Sequence, residues 1–172
     1  MQKDQPPKPG RPRRKRPAST PPRSPNSKPE KTAQEYEQTT KRRGELSELA
    51  FIFKATSLGF HVSKPYGDSE RYDFILDTGR RLLRIQIKST TTMFCGLYRI
   101  NAHRRTNHGS IPYQPNEVDF LIAHVIPEDA WFILPIAEIQ DRTSVLFPPR
   151  NHPRKRAHFA AYREAWRLLR EP

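Results

Sequence analysis

Between Tyr72 and Thr90 the chain reads YDFILDTGRRLLRIQIKST. Leu83, Ile85 and Ile87 alternate with Arg84, Gln86 and Lys88, and a period of two predicts a strand with one apolar and one polar face. The same alternation sets Tyr72, Phe74 and Leu76 on one face and Asp73 on the other. Asp77-Thr78-Gly79 separates the two runs, and glycine supplies the positive φ of a tight turn, so the segment reads as a hairpin. Paired in this way, Asp73, Gln86 and Lys88 project from the same side of two strands. A plain solvated face is the alternative reading of that pattern.

Elsewhere the pattern predicts a helix, further strands and a closing helix. Leu46, Leu49, Ala50 and Phe53 fall at the spacing of an amphipathic helix, with that stripe expected against the core. Gly59 stands where a helix C-terminal cap belongs, and Phe60-His61-Val62 can open a strand. Glu45 and Glu48 lie in the first turns, where carboxylates favour the helix dipole; Glu48 also sits beside the stripe, at a position able to enter a half-buried site. FCGLYRI reads as a further hairpin or edge strand, and NAHRRTNHGSIPYQPNE as a long basic loop. VDFLIAHVI is nearly continuous in apolar residues, as a buried central strand is. PEDA reads as a turn, WFILPI as another strand and AEIQD as a single helical turn. In the last segment Phe159, Tyr162, Trp166 and Leu169 recur at helical spacing, a stripe expected to pack in the core. This order gives an α/β or α+β domain with a mixed sheet.

Composition adds a second body to that picture. The 172 residues suffice for one domain with a proper core plus extra segments. Residues 1–43 hold 13 Lys+Arg against 4 Asp+Glu, and half of the 18 prolines. This stretch has almost no large apolar residues with which to offset ordering entropy. Residues 1–40 are therefore expected to be a disordered basic arm, and residues 41–172 the folded domain. RPRRKRP within the arm can contact phosphates, serve solubility or act as a localisation signal. A formal net charge of +13 favours a polyanionic partner, nucleic acid or an acidic membrane surface. One cysteine, Cys95, excludes a disulfide within the chain and a thiolate zinc cluster; it reads as a small buried hydrophobe. No apolar run approaches the about 20 residues of a membrane span, and no secretory signal precedes the arm, so the expectation is a soluble, cytoplasmic protein.

A helix carboxylate (Glu48), a strand carboxylate (Asp73), an amide oxygen (Gln86) and a lysine two residues further on (Lys88) suit metal-assisted cleavage of a phosphodiester. Mg²⁺ takes hard oxygen ligands and keeps several waters, so two or three side-chain oxygens suffice. A lysine beside them can stabilise charge developing on the phosphate. GELSE, PYGDSERYDFIL and LLRIQIKST together resemble the PD-(D/E)xK nuclease superfamily. They are most similar to its intron-associated homing endonuclease branch, with kinship to archaeal Holliday-junction resolvases. The later NEVDFLIAHVIPEDAWFILPIAEI resembles the same branch, so the likeness spans about residues 43 to 140. It implies a restriction-endonuclease-like core, a mixed β-sheet flanked by helices, and Mg²⁺-dependent hydrolysis of DNA with Mn²⁺ as a substitute ion. By the resemblance Glu48 is the helix acid, Asp73 the central metal-binding acid and Lys88 the catalytic lysine. Gln86 stands where most of the superfamily has Asp or Glu, and the homing branch carries Gln there.

Arg104 and Arg105 are expected to contact phosphates and Asn107 a base edge. A histidine-metal nuclease built on His103 and His108 would need a ββα frame that this loop does not offer. Lys54 and Lys64 read as solvated charges, and Ser89 to Thr92 as strand-end polarity or as hydrogen-bond donors to phosphate. Cutting both strands of a duplex calls for two active sites, hence a homodimer or larger assembly. Two other functions fit the same residues: a nuclease-fold binding module without catalysis, and a junction resolvase.

Overall fold

The computed structural model describes residues 33–67, 70–152 and 158–171. It opens with one α-helix, α1 (Ala33–Ser57). The boundary expected at residue 40 therefore falls inside a helix, and the remainder of the expected arm, residues 1–32, lies outside the described residues. Gly59, at φ +83°, ends α1 as expected and turns the chain into β1 (His61–Ser63). The predicted hairpin follows as β2 (Phe74–Asp77) and β3 (Leu82–Thr90), antiparallel, with Phe74 opposite Ile85. Gly79 takes φ +76° in the turn, where its amide bonds the Asp77 carboxylate.

Next come β4 (Met93–Phe94) and β5 (Leu97–Asn101), a hairpin closed by Cys95-Gly96. Cys95 is exposed in this turn at φ +49°, so it is not the buried hydrophobe expected. The basic stretch expected to be a loop is a two-stranded ribbon, β6 (His103–Thr106) and β7 (Gly109–Pro112), with Asn107 and His108 at its tip. β8 (Phe120–Val125) is buried along its whole length and runs parallel to β3. A single turn of 3₁₀ helix then leads into β9 (Ala130–Pro135), antiparallel to β8. After a second 3₁₀ turn at Ile136–Ile139 comes β10 (Ser144–Phe147), a strand the sequence did not reveal.

The central sheet has the order β1-β2-β3-β8-β9, and a three-stranded sheet β10-β5-β4 lies apart from it. Two hydrophobic cores result. Alternation in the central strands sends Leu83, Ile85, Ile87, Ile122 and Ile133 to one core, where they meet Phe51 and Ala55 of α1. Leu121, Val125, Phe132 and Leu134 go to the other core, against Tyr98, Ile100, Val145 and Phe147 of the second sheet. Tyr72, which precedes β2, packs on this second core and so parts from Phe74 and Leu76.

The closing helix is replaced by two 3₁₀ turns, Ala160–Tyr162 and Trp166–Leu169. Phe159 and Glu164 adopt positive φ there, which breaks a regular helix. Phe159, Trp166 and Leu169 are nonetheless buried, Phe159 in one core and the other two in the opposite one. Among the described residues the mixed sheet is thus flanked by one α-helix, with 3₁₀ turns in place of the other. None of the described helices is long and apolar enough to cross a membrane.

The buried face of α1 differs from the expected stripe. Leu46, Leu49 and Phe53 are 58%, 62% and 78% exposed, whereas Ser47, Phe51 and Ala55 are at 1% or less. Phe51 lies against the rings of Phe74, Trp131 and Trp166, at 5.4, 6.2 and 6.4 Å between centroids. Truncating such a ring costs about 3–5 kcal/mol, whereas an exposed side chain costs within about 0.5 kcal/mol. Phe51→Ala should therefore lower the urea midpoint strongly and Phe53→Ala hardly at all. A loss at Phe53 that matches the loss at Phe51 would contradict this packing.

Candidate active site

The β2–β3 ladder ends at the pair Phe74–Ile85, while β3 continues to Thr90 paired only with β8. Asp73 stands at the point where β2 gives out. Its amide donates to the Ile85 carbonyl at 2.8 Å. Its carboxylate Oδ2 accepts the Ile87 amide at 2.6 Å and the Gln86 Nε2 at 2.7 Å. A side chain thus satisfies a backbone donor that a longer β2 would have taken. Gln86, 6% exposed, lies beneath this carboxylate.

Four predicted residues meet in one cleft of about 490 Å³: Glu48, Asp73, Gln86 and Lys88 all line it. Lys88 is half-buried, its ammonium 5.5 Å from the centre of the Tyr113 ring. Glu48 reaches the cleft from α1 and is paired with Lys64 Nζ at 2.9 Å. Lys64 is therefore not the simply solvated charge expected from the sequence. Burial pushes the Asp73 pKa above its ordinary value, and the Glu48 charge adds to that. The Ile87 amide, the Lys88 ammonium and the Gln86 amide oppose the rise without cancelling it.

The rim is basic, with Arg43, Arg104 and Arg105. Arg104 is held by Glu117 at 3.2 Å, and the same carboxylate lies 3.8 Å from Arg71. Arg105 is exposed and faces the cleft from β6. Asn107 is exposed at the tip of the ribbon and does not line the cleft. His103 Nδ1 contacts the Thr143 carbonyl at 2.8 Å, a structural tie. Among the described residues no three His, Cys, Asp or Glu side chains group as a metal cluster. The donor set here is instead two carboxylates and one amide oxygen, hard ligands of the kind Mg²⁺ takes. A buried carboxylate whose charge its neighbours leave underneutralised is a further feature that fits a cation.

Arg84 shares the strand face of Gln86 and Lys88 but has another task. Its backbone amide donates to Asp119 at 2.7 Å and its guanidinium does so at 2.9 and 3.1 Å. Burial alone would raise the Asp119 pKa, yet these bonds outweigh it and hold the carboxyl below its usual range. Arg43, Asn101, Tyr113 and Ser89 complete the cleft, and the sequence analysis did not assign them to a site. They come from α1, β5, the segment after β7 and β3; only the hydroxyl run from Ser89 gave any sign of one, since the alternation of β3 sets Ser89 on the apolar face.

The model of the PD-(D/E)XK endonuclease family matches residues 38–169 of the chain. Among solved structures, a bacterial homing endonuclease, I-Ssp6803I, superposes with a TM-score of 0.67 at 28% identity. The match covers 76% of this chain and 92% of that one. No curated protein matches.

A raised carboxyl pKa fixes the sign of a pH effect. The folded state binds the Asp73 proton more tightly than the unfolded chain does. Its contribution to stability is therefore fully present below 3.8 and is lost as pH rises through the folded value. Asp73→Asn removes that late cost while keeping an oxygen for the Ile87 amide. The variant should melt above wild type at pH 7, with the difference shrinking as the pH falls toward 3.8 and below. Thermal melts across that range check this. A variant less stable at pH 7 that falls further behind on acidification would contradict it.

Proposed function

Because the chain belongs to the PD-(D/E)XK endonuclease family, we propose that it is a Mg²⁺-dependent endonuclease that hydrolyses DNA phosphodiesters in the cleft between α1 and β3. The observation that carries this reading is the convergence of Glu48, Asp73, Gln86 and Lys88 on one basic-rimmed cleft. The likeness to a bacterial homing endonuclease supports the substrate class. The carboxylates of Asp73 and Glu48 and the side-chain oxygen of Gln86 would hold the ion, with Mn²⁺ able to substitute. When bound, the ion supplies a Lewis acid beside the scissile phosphate.

The chain's own residues do the rest. Asp73, fixed through the Ile87 amide, presents a rigid carboxylate rather than a mobile one. Lys88 orients the attacking water and stabilises the charge that grows on the phosphate, a gain confined to the transition state. The Tyr113 ring beside it leaves the ammonium fewer directions in which to move and keeps water from that side. Arg105 and Arg43 contact backbone phosphates, which positions the duplex without reading its sequence. Asn107, at the tip of a ribbon of the width a major groove admits, reaches base edges. Two cuts in a duplex need two such clefts, so the working form is a homodimer or larger assembly.

One observation favours a second reading, a nuclease-fold binding module. Gln86 is neutral and Glu48 is already paired with Lys64 at 2.9 Å, which together lower the charge available to an ion. Incubating the protein with supercoiled, linear and four-way-junction DNA, with and without Mg²⁺, separates the two readings from each other and from a junction resolvase. Lys88→Ala should reduce Mg²⁺-dependent cutting by about 10²–10³-fold. Affinity for DNA should stay within a few-fold, since one cation among many contributes little to binding. Gln86→Glu should lower the Mg²⁺ concentration for half-maximal cutting. A wild type that binds DNA yet cuts no form, with either ion, would favour the binding module.

A further inference from the structure

Glu48 can face the cleft only if α1 is rotated correctly about its own axis, and a directional contact between α1 and the sheet lies one residue earlier. Ser47 is 1% exposed, and its Oγ lies 3.1 Å from Nδ1 of His124 on β8. Phe51 and Ala55, one and two turns further along α1, bury against the same core. Their burial turns the correct side of the helix to the sheet but sets its angle coarsely, because apolar burial is non-directional. A hydrogen bond is directional. A helix advances about 100° per residue, so with Ser47 tied down the next side chain emerges at a set angle from the sheet. That side chain is Glu48.

His124 is built to hold this contact. Its ring stacks on Trp131 with 4.0 Å between centroids and 2° between planes. The Trp131 amide is in turn bound to Glu164 Oε1 at 2.8 Å. The other ring nitrogen, Nε2, is buried 3.4 Å from Asp129 Oδ1 without hydrogen-bond geometry. Burial holds the His124 pKa below its ordinary value, against the Asp129 and Glu164 carboxylates that raise it. Phe120 and Ile122 occupy the same face of β8 with no such cost. A polar ring in that row makes its one short directional contact with Ser47. Beside the pair lies a hollow of about 380 Å³ lined by Leu46, Thr91 and Ile126, so the helix has room to roll once the contact is removed.

We propose that Ser47 and His124 are a positioning pair that sets the rotation of α1 and so aims Glu48 at the divalent cation. The proposal rests on the reading of Glu48 as a cation-holding carboxylate. Neither residue of the pair touches substrate or ion, and both act through Glu48.

The test is Mn²⁺ binding to the full chain without DNA, by calorimetry, alongside the Mg²⁺ dependence of cutting. An outer residue bonded directly to a ligand is worth about 10–100-fold in metal affinity, and this pair acts one step further out, at the low end of that range. Ser47→Ala and His124→Phe should each weaken Mn²⁺ binding by about 10-fold. They should raise the Mg²⁺ concentration for half-maximal cutting in proportion, with less effect on the rate at saturating Mg²⁺. His124→Asn, which keeps a polar atom near the position of Nδ1, should recover most of the affinity. In a Glu48→Gln background the same substitutions should change Mn²⁺ binding no further, because residues acting through one group are not additive. Full additivity in that background overturns the proposal, as does wild-type affinity in Ser47→Ala, which adds no bulk and removes only the contact. Mn²⁺ binding indifferent to Glu48→Gln alone removes the premise and the proposal with it. That failure is recognisable because it appears in the single Glu48 variant.

Discussion

The Ile87 amide donates to the Asp73 carboxylate at 2.6 Å, and the rest of the site is arranged around that bond. β3 pairs with β2 from Leu82 to Ile85 and with β8 from Ile85 to Thr90, so beyond Ile85 the edge that β2 had covered is open. An open edge inside a folded domain leaves backbone donors unmet. Here a side chain from the incoming strand takes the first of them. This closes the ladder and at the same time lodges an underneutralised carboxylate next to Gln86 and Lys88. The burial that holds the Asp73 carboxylate in place also raises its pKa, and carboxylates perturbed in this way cluster at functional sites.

The two cores explain why the cleft lies where it does. Each face of β8 and β9 is covered, one by the core under α1 and the other by the second sheet, whereas β3 gives apolar residues to the first core alone. Only where β2 has ended can side chains from α1, β3 and β6 meet. Glu48, Gln86, Lys88 and Arg105 come from those three elements and arrive at the same gap. The basic rim follows from the ribbon β6–β7, which stands apart from both sheets.

Much of this was legible in the chain. The alternation in β3 needs only the period of a strand, and it gave both the hairpin and the shared side of Asp73, Gln86 and Lys88. The unbroken apolar run of β8 marked a strand buried on both faces. The helix face was misread because Ser47 looks polar in isolation. Its burial depends on His124, a partner 77 residues away that no local pattern reveals. The apolar stripe that was legible, Leu46, Leu49 and Phe53, faces outward. β6 and β7 escaped notice since His103, Arg104 and Arg105 carry no apolar alternation, and a ribbon outside the core needs none. The aromatic spacing at the C-terminus did predict burial. It failed to predict that left-handed residues at 159 and 164 would divide the stripe between two cores. Arg43 and Tyr113 join the cleft through tertiary folding alone.

In the proposed function the gap beside β3 holds the reactive cation against DNA. Anomalous diffraction from crystals of the protein with duplex DNA and Mn²⁺ addresses it directly. The account predicts manganese bonded to carboxylate oxygens of Asp73 and Glu48, with the Gln86 oxygen and a DNA phosphate completing the ligands and Lys88 adjacent. Manganese on His103 or His108, or DNA seated in the cleft with no manganese between it and Asp73, would contradict it.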